Sequence, residues 1–358
     1  MKKITTIAGT RPEIIKLSSL ISGLDENYPN HEFLYTGQHY SPEMKSIFFK
    51  ELNVRLPDCD LSVNSSDTEK LAESVYSHLK EEEDKPHYVI VYGDTNSTLA
   101  GAKAAKAVGS KLIHLEAGLR SFDMGMPEER NRILVDKMSA YHFPPTDLSR
   151  LFLTYEGYPQ ENIFVTGNLV VDACQTYLPE ALKKVSCEKP SLLMTLHRQE
   201  NVDNPTTLRK FVNALSKVEE PIVFPIHPRT RKSLKENKIE LPGNIVPIDP
   251  LGYLDFIGKL YHSSLVLTDS GGVQEEAITL KKPCITMRKN TERWETVLLG
   301  ANVLYDIDSD VELKPLVDEM KSRTDMISRI KNPYGEKGVT TRMLEAIRFI
   351  AEKQGSNN

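Results

Sequence analysis

The sequence of 358 residues lacks the features that identify several large classes of protein. Its four cysteines, Cys59, Cys174, Cys187 and Cys284, form no C-x-x-C pair and have no histidine at metal-ligand spacing, so we expect a reducing compartment and no metal. The formal net charge of -5 comes without any basic block, which argues against nucleic acid as a partner. The first apolar run is too short for a signal peptide, and no stretch reaches the length of a membrane span. We therefore expect a cytoplasmic protein that does not contact a membrane.

Short β-branched runs that alternate with longer amphipathic stretches dominate the sequence. The predicted strands of the first half are "KKITTIAG", "EFLYTG", "HYVIVYGD" and "KLIHLEAG", and helices such as "STLAGAKAAKAVG" separate them. The pattern restarts after Asn168 with the predicted strands "SLLMTLH", "PIVFPIH", "LVLTDSGG" and "PCITMR". Alternating strands and helices predict an α/β protein of two Rossmann-like, doubly wound parallel-sheet domains with a cleft between them. We place these domains at residues 1–168 and 169–339.

Ionisable residues follow five of the predicted strands. They are Asp94, Glu116, His197, His227 and Asp269. In open parallel sheets, ligands bind beyond the carboxyl ends of the strands. One such residue would be unremarkable, but five at the predicted ligand edges of two sheets indicate an active site.

The segment "GTRPEIIK" predicts the start of the first helix. Thr10 and Glu13 have the spacing of a capping box. Arg11 then lies in the first turn, where a cation opposes the helix dipole unless an anion is bound there. Lys16 follows about one turn later. We interpret Arg11 and Lys16 as phosphate ligands; the alternative is an ordinary capped helix with a solvated arginine.

The segment "TDSGGVQEEA" predicts a second phosphate site, between a strand and a helix. Gly271 and Gly272 allow backbone N–H groups to approach a pyrophosphate, and Ser270 adds a hydroxyl. Glu276 is placed to accept hydrogen bonds from ribose hydroxyls. The segment matches neither the P-loop nor the G-x-G-x-x-G fingerprint, so the alternative is a plain glycine turn.

Two further segments concentrate charge near the predicted ligand edges. In "RKNTERWE", Arg288, Lys289 and Arg293 could bind phosphate or form a surface loop. In "LEAGLRSFDMGMPEERNR", Pro127 opens a helix on which Glu128 and Arg132 are expected to pair at i,i+4. The alternative for this segment is a salt-bridged loop.

Taken together and in order, eight segments resemble the non-hydrolysing UDP-N-acetylglucosamine (UDP-GlcNAc) 2-epimerases. They are "GTRPEIIK", "GQHY", "YGDTNSTLAGA", "HLEAGLRS", "MPEERNR", "TGN", "TLHRQEN" and "DSGGVQEEA". The resemblance implies the GT-B fold and a cytoplasmic homodimer without a cofactor. It also implies a C-terminal helix, at about 340–358, that packs back on the first domain.

The resemblance also implies a role for individual residues. The implied nucleotide contacts are Arg11, Lys16, Phe256, Ser270, Gly271, Gly272, Glu276 and Arg293. The implied catalytic residues are Asp94, Glu116, Glu128 and His197, with Arg132 orienting them. A regulatory site would include Gln38, His39 and His227. The chain departs from the family at Leu251, at Trp294 and at the pair Thr68 and Glu69.

The implied reaction interconverts UDP-GlcNAc and UDP-N-acetylmannosamine (UDP-ManNAc) by loss of UDP, formation of 2-acetamidoglucal and re-addition of UDP. Three other activities fit the same sequence: a hydrolysing 2-epimerase, a 2-epimerase for a UDP-diacetamido uronic acid sugar, and a GT-B glycosyltransferase. A nucleotide-sugar sensor without catalysis is a fourth alternative. The carboxylates at 94, 116 and 128 favour proton-transfer chemistry over the last two.

Overall fold

The structure, a computed structural model, describes residues 2–38, 49, 51–52, 54–81, 85–186 and 191–353. The chain divides into two compact units, Met1–Ala173 with Tyr334–Asn358, and Cys174–Pro333. The boundaries between the two units lie close to residues 168 and 339, the predicted domain limits. The domain limits themselves stay a prediction. Within the described residues, no helix combines the length and the apolar character needed to cross a bilayer.

The first unit contains a sheet of six parallel strands in the order β3-β2-β1-β4-β5-β6. The strands are β1 (Ile4–Ala8), β2 (His31–Tyr35), β3 (Cys59–Asp60), β4 (Tyr88–Tyr92), β5 (Lys111–Leu115) and β6 (Tyr141–Phe143). The helices between these strands are α1 (Arg11–Asn27), α2 (Thr68–Glu81), α3 (Asn96–Val108) and α4 (Pro127–Met138), and α5 (Asp147–Tyr155) follows β6. A 3₁₀ turn at Gln160–Asn162 precedes α6 (Val170–Lys184), which leads into the second unit.

The central strands β1 and β4 are buried along their whole length. Their runs of Ile, Val, Thr and Tyr have no polar face because helices cover both sides of a parallel sheet. Helix α3 begins where the Thr95 hydroxyl accepts the N–H of Thr98, at 3.1 Å, and ends at Gly109, whose φ of 82° suits glycine. The cap at Thr95 fixes where the loop after β4 ends and the helix begins, and Gly109 fixes where the helix ends.

The last helix, α15 (Val339–Lys353), completes the first unit rather than the second. The Asp172 carboxylate accepts the N–H groups of Gly338, Val339 and Thr340 at 2.9, 3.3 and 2.7 Å, so it caps this helix from a distant part of the sequence. The hydroxyls of Ser19 on α1 and Thr340 are 2.8 Å apart. Helix α15 therefore packs on α1 of the first unit.

The second unit repeats the same arrangement with six parallel strands in the order β12-β11-β10-β7-β8-β9. The strands are β7 (Leu192–Thr195), β8 (Ile222–Pro225), β9 (Ile245–Ile248), β10 (Leu265–Thr268), β11 (Cys284–Thr286) and β12 (Asn302–Leu304). The helices are α7 (Gln199–Val202), α8 (Pro205–Ser216), α9 (Pro228–Glu236), α10 (Tyr253–His262), α11 (Gly271–Thr279), α12 (Trp294–Leu298), α13 (Leu313–Ser322) and α14 (Thr324–Arg329).

Counted from its own first strand, each sheet has the order 3-2-1-4-5-6 of the Rossmann fold. The prediction of two doubly wound α/β domains is confirmed. The order reverses between β1 and β4 in one sheet and between β7 and β10 in the other. Ligands of this fold bind beyond the carboxyl ends of the strands at such a reversal. The loops after these four strands therefore contain the candidate site.

A buried network of charges supports the loop after β5. The Asp136 carboxylate on α4 is 2.6 Å from Nδ1 of His114 and 2.7 Å from Nη2 of Arg120, and it accepts the N–H of Gly118 at 3.2 Å. Burial alone would raise the pKa of Asp136, but the neighbouring His114 and Arg120 hold it well below its ordinary range. Nε2 of His114 lies 2.8 Å from the carbonyl of Gly93, which follows β4. The network thus joins the ends of β4 and β5.

We predict that Asp136→Asn lowers the free energy of unfolding by about 3 kcal/mol at pH 7, because Arg120 loses its fully buried counter-charge and retains the part-exposed Glu156. The folded-state pKa lies below the unfolded-state value of about 3.9, so the contribution is complete above that value and is lost as the pH falls below it. Urea titrations at about pH 7 and about pH 3.5 test both points. The exposed Asp147→Asn is the control and should cost less than about 0.5 kcal/mol. A penalty for Asp136→Asn that does not shrink at the lower pH would contradict the prediction.

Candidate active site

A buried carboxylate joins the loops after β1 and β4. Glu13 is 3% exposed. It accepts hydrogen bonds from the N–H groups of Gly9 and Thr10 at 2.9 and 2.7 Å, which confirms the predicted capping box. It also accepts from the hydroxyls of Thr95 and Thr98 in the other loop, at 2.9 and 3.1 Å. Burial raises the pKa of Glu13, and these hydrogen bonds oppose that effect. The link to the second loop was not predicted from the sequence.

The two basic residues predicted as phosphate ligands occupy different environments. Arg11 is the first residue of α1 and is partly buried. Lys16 is buried, with Nζ 3.0 Å from Oε1 of Glu116 and 5.3 Å from the centre of the Tyr92 ring. The structure thus places Lys16 against one of the predicted catalytic carboxylates. An ammonium group has three donors, so this contact is compatible with a further anionic partner.

Glu116 follows β5 and has a φ of 63°, in the left-handed region that non-glycine residues rarely adopt. Besides Lys16, its Oε1 accepts the hydroxyl of Tyr92 at 2.5 Å and the amide of Asn168 at 2.6 Å. Strained backbone of this kind clusters at functional sites, and here it directs a buried carboxylate toward three donors. Tyr92 and Asn168 were not predicted as site residues. The only sequence signals were their positions in "YGD" and "TGN".

Asp94, which follows β4, contacts Nη2 of Arg132, and its side chain is 23% exposed. Nη1 of Arg132 donates to Glu129 at 2.7 Å. Glu129 in turn accepts the backbone N–H groups of Ser121 and Phe122 at 2.9 and 3.0 Å. A chain of contacts therefore runs from the loop at Ser121 and Phe122 through α4 to Asp94. The orienting role of Arg132 stays a prediction.

The predicted ion pair between Glu128 and Arg132 is wrong. Arg132 contacts Glu129, three residues away, and Asp94. Neighbours at both i,i+3 and i,i+4 are close on a helix, and the two N–H groups of the loop turn Glu129 inward to the guanidinium. Glu128 is half-buried at the second position of α4 and does not neutralise Arg132.

In the second unit, Asp269 joins the loops after β7 and β10. This fully buried carboxylate accepts the backbone N–H groups of His197 and Arg198, both at 2.8 Å, and the amide of Asn201 at 3.2 Å. Its other oxygen is 3.1 Å from Nδ1 of His197, close enough for an ion pair when the ring is protonated. Asp269 therefore positions His197, a role that the sequence did not reveal, although Asp269 was noted at a strand end.

His227 lies next to His197. The ring centres are 5.5 Å apart, and Nδ1 of His227 accepts the N–H of Arg229 at 3.2 Å to cap α9. Burial, together with the nearby His197 and Arg229, lowers the pKa of His227. The ring is therefore neutral at pH 7, with its proton on Nε2.

The other residues of the predicted regulatory site lie in the first unit. Gln38 is buried, and its side-chain oxygen accepts the N–H and hydroxyl of Ser97 at 3.0 and 2.8 Å. His39 lies outside the described residues. The regulatory role of Gln38, His39 and His227 stays a prediction.

Helix α11 begins at the glycine pair, directly after β10, as predicted. Ser270 is its N-cap residue, and Gly271 and Gly272 form the first turn. The positive end of the helix dipole and these backbone N–H groups favour an anion. Glu276 is buried one turn further on, and burial together with the nearby Cys174 and Glu276 raises the pKa of Tyr253. Phe256, the predicted uracil contact, is half-buried on α10.

The predicted basic cluster divides into buried and surface residues. Arg288 and Arg293 are 5% and 4% exposed. Arg293 contacts Glu275 and lies 3.6 Å from Glu292, which also accepts from Arg288 at 3.1 Å. Lys289 instead is on the surface and pairs with exposed aspartates, so the surface-loop alternative is correct for this residue.

Two Rossmann-type units, one with carboxylates at its ligand edge and one with arginines beside a glycine-started helix, provide groups that can bind a phosphorylated ligand. The sequence model of the UDP-N-acetylglucosamine 2-epimerase family matches residues 24–348. The chain therefore belongs to the UDP-N-acetylglucosamine 2-epimerase family.

Several characterised proteins are similar over nearly the whole chain. The UDP-N-acetylglucosamine 2-epimerase of Methanocaldococcus jannaschii is 42% identical, covering 93% of this chain and 95% of the relative. The UDP-2,3-diacetamido-2,3-dideoxy-D-glucuronate 2-epimerase of Pseudomonas aeruginosa is 41% identical, covering 86% and 90%. The crystal structure of the M. jannaschii enzyme in complex with UDP-GlcNAc and UDP superposes with a TM-score of 0.86 at 40% identity, covering 97% and 99%.

We predict that Glu129→Gln lowers the kcat of epimerisation by about tenfold to a hundredfold and changes KM by less than about threefold. The amide weakens the support of Arg132, and small misplacements of a reacting group have effects of this size. Steady-state kinetics test the change in kcat, and amide hydrogen exchange of residues 121–126 should rise with it. Arg130→Gln, an exposed change on the same helix, is the control. Equal losses in both variants would contradict a specific role for Glu129.

Proposed function

We propose that the protein interconverts UDP-GlcNAc and UDP-ManNAc without releasing free sugar. The observation that carries the proposal is the pair of carboxylates at the ends of β4 and β5, each already held by a cation. Asp94 contacts Arg132, and Glu116 contacts Lys16. The family to which the chain belongs and the M. jannaschii relative bound to UDP-GlcNAc support the same substrate.

The chemistry explains why carboxylates are required. The proton on C2 of the sugar has no adjacent carbonyl, so its direct removal would be very slow. Elimination avoids this problem: the C1–O bond to UDP breaks, C2 loses its proton, and 2-acetamidoglucal forms. UDP then adds back at C1 while a proton is delivered to the other face of C2. These steps need proton-transfer groups and charge stabilisation but no cofactor.

We assign the leaving UDP to the second unit. The N–H groups at Ser270, Gly271 and Gly272 and the guanidinium of Arg293 would stabilise the diphosphate. His197, positioned by Asp269, would donate a proton or hydrogen bond to the leaving oxygen. In the same assignment, Phe256 contacts the uracil and Glu276 the ribose.

We assign the proton transfers at C2 to the first unit. Asp94, Glu116 and Glu128 are the candidate acids and bases, and Asp94 and Glu116 already contact Arg132 and Lys16. Arg11 and Lys16 would stabilise the negative charge that develops on the departing diphosphate. The homodimer and the cytoplasmic location implied by the resemblance remain predictions.

One observation favours a second substrate. The P. aeruginosa relative, named as an epimerase of a UDP-diacetamido glucuronate, is almost as similar as the M. jannaschii enzyme. Both reactions invert C2 next to a UDP leaving group, so the same carboxylates would serve either sugar. Overall identity therefore does not choose between the two substrates.

Incubation with UDP-GlcNAc in D2O, followed by NMR, tests the reaction directly. We expect deuterium at C2 together with the appearance of UDP-ManNAc, because C2 exchanges its proton with solvent through the glucal. Free ManNAc in place of UDP-ManNAc would identify a hydrolysing 2-epimerase. Unchanged substrate with intact UDP binding would contradict the proposal and point to a glycosyltransferase or to another sugar.

Asp94→Asn should reduce C2 exchange by at least about a thousandfold and leave the Kd of UDP within about tenfold. The amide cannot accept the proton, while the groups assigned to UDP are untouched. Exchange rates from the D2O experiment and calorimetric titration with UDP measure the two effects. Asp123→Asn, a carboxylate change in the loop after β5, serves as the control. Normal exchange in Asp94→Asn would remove this residue from the proton transfer.

The two substrates can be separated by their kcat/KM values. We predict that UDP-GlcNAc is used at least about a hundredfold more efficiently than UDP-2,3-diacetamido-2,3-dideoxy-glucuronate, because the charged carboxylate of the uronate needs a dedicated partner. Parallel assays with both sugars at several concentrations measure the ratio. The reverse preference would transfer the proposal to the uronate and leave the C2 chemistry unchanged.

A further inference from the structure

Glu292 is a buried carboxylate surrounded by arginines in the second unit. It lies in the loop between β11 and α12 and is 4% exposed. Its Oε2 accepts from both Nη1 and Nη2 of Arg288 at 3.1 Å. Its Oε1 lies 3.6 Å from Nη1 of Arg293 and 4.0 Å from Nη2 of Arg198. Three guanidinium groups thus lie around Glu292, and one of them, that of Arg293, also contacts the buried Glu275.

The same carboxylate lies against the start of α11. A Cβ added to Gly271 would be 2.4 Å from Oε1 of Glu292, so any larger residue at this position would require the carboxylate to move. Gly271 is the first residue of a nine-residue helix, where the dipole and N–H groups attract negative charge. Glu292 therefore places an anion beside the residues to which the proposed function assigns the diphosphate of UDP.

We propose that Glu292 is the internal counter-anion of the diphosphate site. Without ligand, it neutralises arginines whose burial would otherwise be unfavourable. When a diphosphate binds, the carboxylate becomes a like charge at short range and opposes the binding. The affinity for UDP is thereby held below what the arginines and the helix would provide on their own. This inference rests on the proposed function, because it concerns the same site.

A purely supporting role for Glu292 makes the opposite prediction. If the carboxylate served only to hold Arg288 and Arg293 in place, its neutralisation would loosen both arginines and weaken UDP binding. If it competes with the diphosphate, its neutralisation strengthens UDP binding. The sign of the change in Kd distinguishes the two roles.

The test is calorimetric titration of the full chain and of Glu292→Gln with UDP and with uridine. We expect Glu292→Gln to bind UDP about tenfold more tightly and uridine within about twofold of the wild-type affinity, since only UDP carries phosphate charge. The UDP affinity of the variant should also fall more steeply with added salt. Glu312→Gln is the control, because Glu312 is an exposed carboxylate of the same unit that pairs with Lys217, and it should leave both affinities unchanged.

Glu292→Ala is the second variant. It also removes the charge and gives Arg288 space to rearrange, so tighter UDP binding is expected again even if Glu292→Gln folds poorly. Unchanged or weaker UDP binding by a folded variant, judged by retained uridine binding, would overturn the inference and leave the proposed function intact. Absence of UDP binding by the wild-type protein would overturn both.

Discussion

One buried carboxylate in each unit holds together the loops that emerge at the point where the strand order reverses. Glu13 links the loops after β1 and β4 through N–H and hydroxyl donors. Asp269 links the loops after β7 and β10 through the backbone of His197 and Arg198. Parallel strands alone leave these loops without mutual hydrogen bonds. The position of every candidate site residue in these four loops depends on these two acceptors.

The functional charges are already paired before any ligand is considered. Lys16 contacts Glu116, and Arg132 contacts Asp94. In the second unit, Arg293 contacts Glu275 and lies near Glu292. Burial makes an unpaired charge costly, which explains why Lys16, Arg132 and Arg293 each contact a carboxylate. Binding a nucleotide sugar then becomes an exchange of partners rather than the filling of a vacant charged site.

Much of the fold could be predicted from the sequence because long β-branched runs such as β4 (Tyr88–Tyr92) stand out from their neighbours. The strands that were not predicted are short and at or near sheet edges: β3, β6, β9 and β12. They have two to four residues and each includes a position that is not fully buried, whereas the equally short β10 and β11 are buried throughout and read as continuous apolar runs. The residues that follow the predicted strands indicated where the candidate site lies. The spacing of charged residues along the sequence did not predict which of them pair with each other. Arg132 binds Glu129 rather than Glu128 because backbone N–H groups of a distant loop turn Glu129 inward.

The way in which α15 completes the first unit has a consequence for synthesis on the ribosome. The N-terminal unit lacks its final helix until residues Val339–Lys353 have been made, and the face of α1 that packs on this helix stays exposed meanwhile. The inserted unit, Cys174–Pro333, is finished earlier and can acquire its structure first. During synthesis, the apolar face of α1 would therefore remain open to non-native contacts for longer than the core of the inserted unit.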